Sequence, residues 1–347
     1  MPSTAAQRWA EARTFHHSAY PAERILAERR RGKQSQTISV CLPARECATT
    51  IGQIVSKLVT LREASTIDEI VVVDAASADG TAAVAERAGA KVLQEAELLP
   101  EYGPVLGKGD AMWRALSAIE GELVCFLDAD TEGFSPHFAT GLIGPLVCEP
   151  GVEFVKAFYR RPLGADGRGH AAGRHDAPGR DDALGGEEPP GREGGGRVNH
   201  LLARPALALF YPELAGVRQP LAGEVAARRE LLERLPFFTG YGVEVGMLID
   251  VWRTVGLEGM AQVDLDEHRH HHQPLSALEP MAQTVLATIA ARLESEESLT
   301  PWWERFEVDG EVGIERLDEL DPAPVKRPSL QALGSSRISE RQAVDEG

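Results

Sequence analysis

Leu123-Val124-Cys125-Phe126-Leu127-Asp128-Ala129-Asp130 decides the fold. Five apolar residues without alternation read as a strand buried on both faces, the pattern of a parallel sheet covered by helices. The Asp-x-Asp that ends the strand falls where open α/β sheets gather their ligands, at a carboxyl end. Upstream, residues 37–42 and Glu69-Ile70-Val71-Val72-Val73-Asp74 repeat the buried pattern, and 91–93 and 152–158 supply further short strands. Helical spacing predicts helices over 51–61, 79–88, 110–119 and 136–147. Strand and helix alternate, so the class is α/β. Downstream, helices are predicted at 198–210, 226–234, 241–255 and 274–293, with a strand at 259–263.

Composition narrows the function. The chain has 347 residues and a formal charge of −17, from 36 Lys and Arg against 53 Asp and Glu. Such a balance argues against broad binding of nucleic acid or anionic membranes, so any basic residues that hold an anion must be gathered locally. Arg29-Arg30-Arg31 and Arg160-Arg161 are too short for nucleic-acid arms, and the first reads as a solvated face. Four cysteines (Cys41, Cys47, Cys125, Cys148) lack paired metal spacing, which suits a reducing cytoplasm. No apolar run approaches the roughly 18 residues that cross a bilayer. The expected divisions are an N-terminal arm (1–35), a half of alternating strands and helices (36–162), a Gly/Pro-rich loop (163–196), a helical half (197–300) and a partly disordered extension (301–347), whose polar, proline-containing chain after about 320 is expected to be a disordered tail.

Several groups can do chemistry. Asp128 and Asp130 can share a hard cation whose open positions take diphosphate oxygens. An acidic chain makes Asp-x-Asp cheaply, as Asp264-Leu265-Asp266 demonstrates, and only position after a buried strand favours the first copy. In Glu267-His268-Arg269-His270-His271-His272, an extended backbone puts His268, His270 and His272 on one face, where they could meet a metal held by Asp130. Gly107-Lys108-Gly109 opens a helix and suits a phosphate, or is an ordinary helix-opening turn. Gly194-Gly195-Gly196-Arg197 frees backbone amides beside a guanidinium that grips anions, or is a flexible linker. Glu244 starts an apolar helix, as a dipole partner or as a polar group in a cleft.

The order of motifs carries more than any one of them. Leu42-Pro43-Ala44, Ile70-Val71-Val72-Val73-Asp74, Gly107-Lys108-Gly109, Phe126-Leu127-Asp128-Ala129-Asp130 and Phe158-Tyr159-Arg160-Arg161-Pro162-Leu163 come first. Gly194-Gly195-Gly196-Arg197-Val198, Gln219-Pro220-Leu221-Ala222-Gly223-Glu224 and Gly240-Tyr241-Gly242-Val243-Glu244 follow. From about residue 38 to 293 this series resembles the glucosyl- and mannosyl-3-phosphoglycerate synthases of glycosyltransferase family 81. The resemblance implies a retaining enzyme of GT-A fold, a mixed, mainly parallel sheet with a helical acceptor-binding part. It implies donor contacts at Leu42, Pro43, Ala44, Glu46, Asp74, Lys108 and Ala129. Asp130 and His270 match ligands of Mg²⁺ or Mn²⁺, and Asp128 faces the donor sugar or ribose. Leu221 and Glu244 match groups around the transferred hexose. Gly196, Arg197, Asn199 and His272 match the 3-phosphoglycerate pocket. A homodimer is also implied.

Two departures bear on the donor. The family commonly reads Leu-Pro-Ala-Leu-Asn/Asp-Glu, whereas Arg45, Glu46 and Cys47 follow Ala44 here, displacing or removing a carboxylate at Cys47. Ala75-Ala76 replaces a Ser-containing pair. UDP-glucose, GDP-glucose and GDP-mannose therefore stay open as donors. The rivals are an inverting transferase acting on a lipid-phosphate acceptor and a silent nucleotide-sugar-binding regulator.

Overall fold

The computed structural model describes residues 4–31, 36–161, 196–268, 275–293, 302–306, 312–316 and 324–334. The strands are β1 (Thr14–His16), β2 (Ile38–Ala44), β3 (Glu69–Asp74), β4 (Lys91–Gln94), β5 (Leu123–Phe126), β6 (Phe154–Arg160), β7 (Val225–Arg228), β8 (Phe237–Phe238) and β9 (Met260–Glu267). Near the C-terminus lie β10 (Trp302–Phe306), β11 (Val312–Arg316) and β12 (Lys326–Arg327). The helices are α1 (Ala5–Ala12), α2 (Ala22–Arg31), α3 (Ile51–Glu63), α4 (Thr81–Ala88), α5 (Lys108–Ala115) and α6 (His137–Cys148). Further along come α7 (Arg204–Phe210), α8 (Arg229–Arg234), α9 (Val243–Val255) and α10 (Leu275–Ala290).

Eight strands form one sheet in the order β1-β9-β6-β7-β5-β2-β3-β4. All neighbours run parallel except at β7, which lies antiparallel to both β5 and β6. The mixed, mainly parallel GT-A-like α/β class is therefore present. The central strands read as unbroken apolar runs because both faces are covered. Val40, Leu42, Ile70 and Val72 pack with Ile54 and Leu58 of α3 and Phe138 and Leu142 of α6. Their alternates Cys41, Val71 and Val73 pack on the other face with Met112 and Trp113 of α5 and Leu248 and Ile249 of α9.

Four expectations need correction. Residues 226–228 were expected to be helical but form β7, where Ala226 and Ala227 are fully buried between β5 and β6. Alanine favours helices, and the two neighbouring strands override that propensity. The N-terminal segment does not hang off as an arm over its described residues. β1 extends the sheet beside β9, and the indole of the buried Trp9 donates to the Met260 carbonyl at 2.9 Å. Arg29 was read as part of a solvated face, but it is buried, donating to the carbonyls of Ser65, Thr66 and Gln36 and to Asp68. The chain beyond 320 was expected to be disordered, yet 324–334 is ordered, with β12 pairing antiparallel to β8.

Candidate active site

A cleft of about 1190 Å³ opens at the carboxyl ends of β2 and β5. Its walls come from stretches of chain far apart in the sequence, which motif order alone could not bring together. The turn after β2 contributes Pro43, Ala44 and Glu46, and the turn after β5 contributes Asp128, Ala129 and Asp130. The start of α5 brings Lys108 and the start of α9 brings Glu244. Gly196, Arg197, Asn199 and Leu221, expected around the acceptor and the hexose, also line it. Arg45 and Arg161 join Lys108 and Arg197 on the wall, so a strongly acidic protein gathers four cations in one cleft.

The cleft centres on an ion pair. Lys108 Nζ lies 2.5 Å from Asp128 Oδ1 and 3.3 Å from Glu244 Oε1. Burial would lower the lysine's pKa, but Asp128 and then Glu244 outweigh it and raise it, so the ammonium persists. The glycines beside Lys108 serve close packing. A Cβ on Gly107 would come 3.2 Å from the Cα of Gly240, and one on Gly109 would strike the Phe238 carbonyl and sit 2.7 Å from Val243 Cβ. Gly107 also holds φ at +79°, in the left-handed region. The turn thus presses against the segment that leads into Glu244. Gly223 completes the centre from the other side, because its missing Cβ leaves room for the Lys108–Asp128 pair.

Asp130 opens to the cleft. Withdrawal from bulk water, then the neighbouring Asp128 carboxylate, pushes its pKa up. Two carboxylates held two residues apart, the outer one under repulsion, form an oxygen-donor set that a hard divalent cation would relieve. His270 and His272, the expected metal and acceptor histidines, lie outside the described residues.

Two donor-site expectations land differently. Leu42 is wholly buried in the core, so its side chain does not reach the cleft, because β2 points it toward α3. Asp74 is also buried (1% exposed) and lies behind the cleft-lining Ala75. One Asp74 oxygen accepts from the Ser77 amide at 3.1 Å and from Gln94 at 3.2 Å, while Oδ1 has no hydrogen-bond partner among the described residues. Glu46 lines the cleft with its carboxylate on the Ala78 amide at 2.8 Å. Asn199 accepts from the Leu221 amide at 2.9 Å and so ties the 196–199 segment to the Leu221 turn.

Beneath these groups runs a buried polar chain whose connections the sequence reading did not give, although it named each of the residues except Thr131. Arg161 donates to the Tyr159 hydroxyl at 2.8 Å, which donates to Glu224 Oε2 at 2.8 Å. Glu224 Oε1 lies 2.9 Å from His268 Nε2, itself 3.1 Å from the Thr131 hydroxyl. Burial alone would raise Glu224, but His268, then Lys108 and Arg161, hold it down at about 2. Glu224 in turn raises His268 against its burial. His268 thus pairs with a carboxylate at the root of the histidine segment. Lys156 of β6 is a missed group, 2% exposed, donating to the Ala222 carbonyl at 2.6 Å, its pKa pushed down to about 8 by burial. A lysine inside Phe154-Val155-Lys156-Ala157-Phe158 was the available signal, since a central strand rarely buries a charge without a purpose. The second Asp-x-Asp ends elsewhere: Asp266 accepts from His16 at 3.1 Å and His17 at 2.7 Å.

Comparison with known proteins agrees with this geometry. The glycosyl transferase family 2 model matches residues 39–162, the half that carries Pro43, Lys108 and Asp128. The glucosyl-3-phosphoglycerate synthase of Petrotoga mobilis is 41% identical over 284 residues, 81% of this chain and 81% of that protein. The chain belongs to the glucosyl-3-phosphoglycerate synthase family. The synthase of Mycolicibacterium paratuberculosis is 39% identical across 89% of this chain and 88% of its own. Among solved structures, mannosyl-3-phosphoglycerate synthase from Rubrobacter xylanophilus aligns with a TM-score of 0.78 at 39% identity, covering 96% of this chain and 99% of that one. Glucosyl-3-phosphoglycerate synthase from Mycobacterium tuberculosis, in complex with Mn²⁺, UDP-glucose and phosphoglyceric acid, aligns at 0.74 and 35% identity, over 92% and 98%. As a member of this family the chain is a hexosyltransferase. Among the described residues no helix is long and apolar enough to cross a membrane.

Proposed function

We propose that this enzyme transfers glucose, with retention, from a nucleoside diphosphate sugar to 3-phosphoglycerate. The observation that carries the reading is the meeting in one cleft of Lys108–Asp128, Asp130 and Glu244 with Gly196, Arg197 and Asn199. The first set suits a sugar diphosphate and the second an anionic acceptor. Glucose follows the names of the curated relatives. UDP-glucose is the first donor to try, since the Mycobacterium tuberculosis neighbour holds it.

Asp130, with His270 from the family pattern, would hold Mg²⁺ or Mn²⁺, which supplies charge neutralisation at the departing diphosphate when bound. The rest is done by the chain. Lys108 brings its positive charge to the cleft beside Asp128. Glu244 and the Leu221 turn orient the hexose. Arg197 and the Gly196 backbone hold the acceptor with its hydroxyl beside the anomeric carbon. The anomeric carbon–oxygen bond to the diphosphate breaks as the acceptor oxygen bonds on the same face, and the acceptor proton passes to the leaving phosphate oxygen.

The test is release of nucleoside diphosphate with 3-phosphoglycerate and Mg²⁺, with UDP-glucose, GDP-glucose and GDP-mannose in parallel. Turnover that requires both acceptor and metal supports the reading, and its rank order names the donor. Donor binding without turnover points to the silent regulator instead. We also place the enzyme in the cytoplasm, on its four free cysteines. We read it as a homodimer, on the exposed Leu201, Leu209 and Phe210 near α10; light scattering checks the second point.

A further inference from the structure

Residues 324–334 lie outside every motif used above, yet they reach the cleft. Pro324 stands on its wall with Thr239, Gly240, Leu106 and Gly107. Val325 and Thr239 are tied twice, Val325 N–H to Thr239 Oγ1 and Thr239 N–H to Val325 O, both at 2.9 Å. The next residues form β12 against β8, and Trp113 of α5 donates its indole N–H to the Pro328 carbonyl at 2.8 Å.

Arg327 is the centre of this contact. It is 8% exposed, and its Nε and a terminal nitrogen reach the two oxygens of Asp110 at 2.9 and 2.7 Å. Its other terminal nitrogen donates to the Tyr102 carbonyl at 2.9 Å. Asp110 has no exposed surface, and it also accepts from the Leu106 amide at 2.9 Å. Arg114, one turn further along α5, lies 3.3 Å from the same carboxylate and donates to the carbonyls of Leu98, Leu99 and Gly103. The loop from 98 to 106 therefore hangs between two buried arginines that share one aspartate. Arg114 belongs to the helix the loop enters. Arg327 arrives from more than two hundred residues downstream.

We propose that the 324–334 segment completes the donor side of the cleft, and that Arg327 is a positioning residue for the turn that presents Lys108. The proposal rests on the donor-site reading given above. Its physics is specific. Deleting Arg327 leaves Asp110 still facing Arg114, so no uncompensated charge is buried and the fold survives. What is lost is the grip on Tyr102 and the bidentate hold on the carboxylate that ties Leu106. Lys108 begins two residues beyond Leu106, so its ammonium drifts from the 2.5 Å contact with Asp128. The acceptor groups Gly196 and Arg197 sit on another stretch of chain and keep their place.

The test uses the full chain carrying Arg327→Met. The expected result is a donor KM raised about tenfold, with the acceptor KM within twofold of the parent. Arg327→Lys keeps the charge without the fork and should recover part of the loss. Hydrogen exchange should quicken over 98–107 and not in the strands of the sheet. If Arg327→Met does not fold, Val325→Pro, which removes the N–H donated to Thr239 and leaves the Arg327–Asp110 pair present, should move the same two readouts in the same direction. An unchanged donor KM with unchanged exchange overturns the proposal. So does an equal rise in both KM values with exchange quickened throughout, which marks a merely structural residue. If the parent protein turns over no donor, the functional reading fails instead, and exchange over 98–107 still decides on its own whether Arg327 positions that loop.

Discussion

Gly223→Ala is the sharpest probe of the cleft. A Cβ at this position would lie 2.5 Å from both carboxylate oxygens of Asp128 and would collide with Lys108 Nζ. An ordinary contact is near 3.5 Å, so the pair must give by about 1 Å. The obstructing atoms are the ends of flexible side chains, and Gly223 is outside the left-handed region, so no backbone strain is added. The stability loss should sit at the low end for overpacking, about 1 kcal/mol, a fall of about 2 °C in Tm for a chain of this size. Activity should suffer far more. A displacement of about 1 Å at reacting groups costs about a hundredfold in rate, equivalent to about 2.7 kcal/mol of barrier. Nucleoside diphosphate release gives kcat/KM, and thermal unfolding followed by circular dichroism gives Tm. A kcat/KM within threefold of the parent would refute the claim that this ion pair is the working centre. A fall in Tm of more than about 8 °C would instead make Gly223 a folding residue.

Other perturbations separate the roles of neighbouring groups. Asp130→Ala should raise the Mg²⁺ concentration for half-maximal turnover by about a hundredfold or more while leaving Tm alone, and removing metal with EDTA should stop turnover reversibly; metal titration of the rate reads both. Glu224 is held at about 2 in the fold against 4.5 unfolded, so its contribution is present above pH 4.5 and fades as pH falls toward 2. Glu224→Gln should flatten that acid limb in Tm-versus-pH scans and cost about 3 kcal/mol at neutral pH. Lys156 runs the opposite way: its pKa of about 8, below the usual 10.5, means stability climbs from pH 8 to 10.5 as the unfolded chain holds the extra proton. Lys156→Met should remove that climb and raise Tm at pH 7, while turnover drops about tenfold because the Ala222 carbonyl loses its anchor; a lowered Tm with full activity would contradict this.

The parts of this molecule that were legible in the sequence are those whose cause is local. The runs ending at Asp74 and Asp128 announce strands because a parallel sheet buries both of its faces. Lys108 and Glu244 could be singled out because each starts a helix after glycines. That these two lysine and glutamate ends lie 3.3 Å apart could not be read, because 136 residues of chain separate them and only the packing of α5 against α9 closes the gap. β7 was misread for the complementary reason. Its alanines carry a helical preference of a few tenths of a kcal/mol, and two flanking strands outvote it.

The same distinction explains why the supporting residues were invisible while the lining ones were not. Pro43, Asp130 and Arg197 belong to short motifs with a recognisable order, and all three line the cleft. Glu224, Lys156 and Arg327 touch protein, and their meaning lies in partners far along the chain: His268 for the first, Ala222 for the second, Asp110 for the third. Each is nevertheless a charge taken out of water, which is costly unless a partner of fitting geometry awaits it. A charged residue inside an apolar run, as at Lys156, is therefore a legible sign that some partner exists, even when sequence cannot say which. Arg327 gave no such sign, sitting in a polar tail where a solvated guanidinium is the ordinary outcome. Its importance follows from Asp110 alone: a carboxylate with no exposed surface beside the turn that carries Lys108 must be neutralised, and one arginine on its own helix does not fill both of its oxygens.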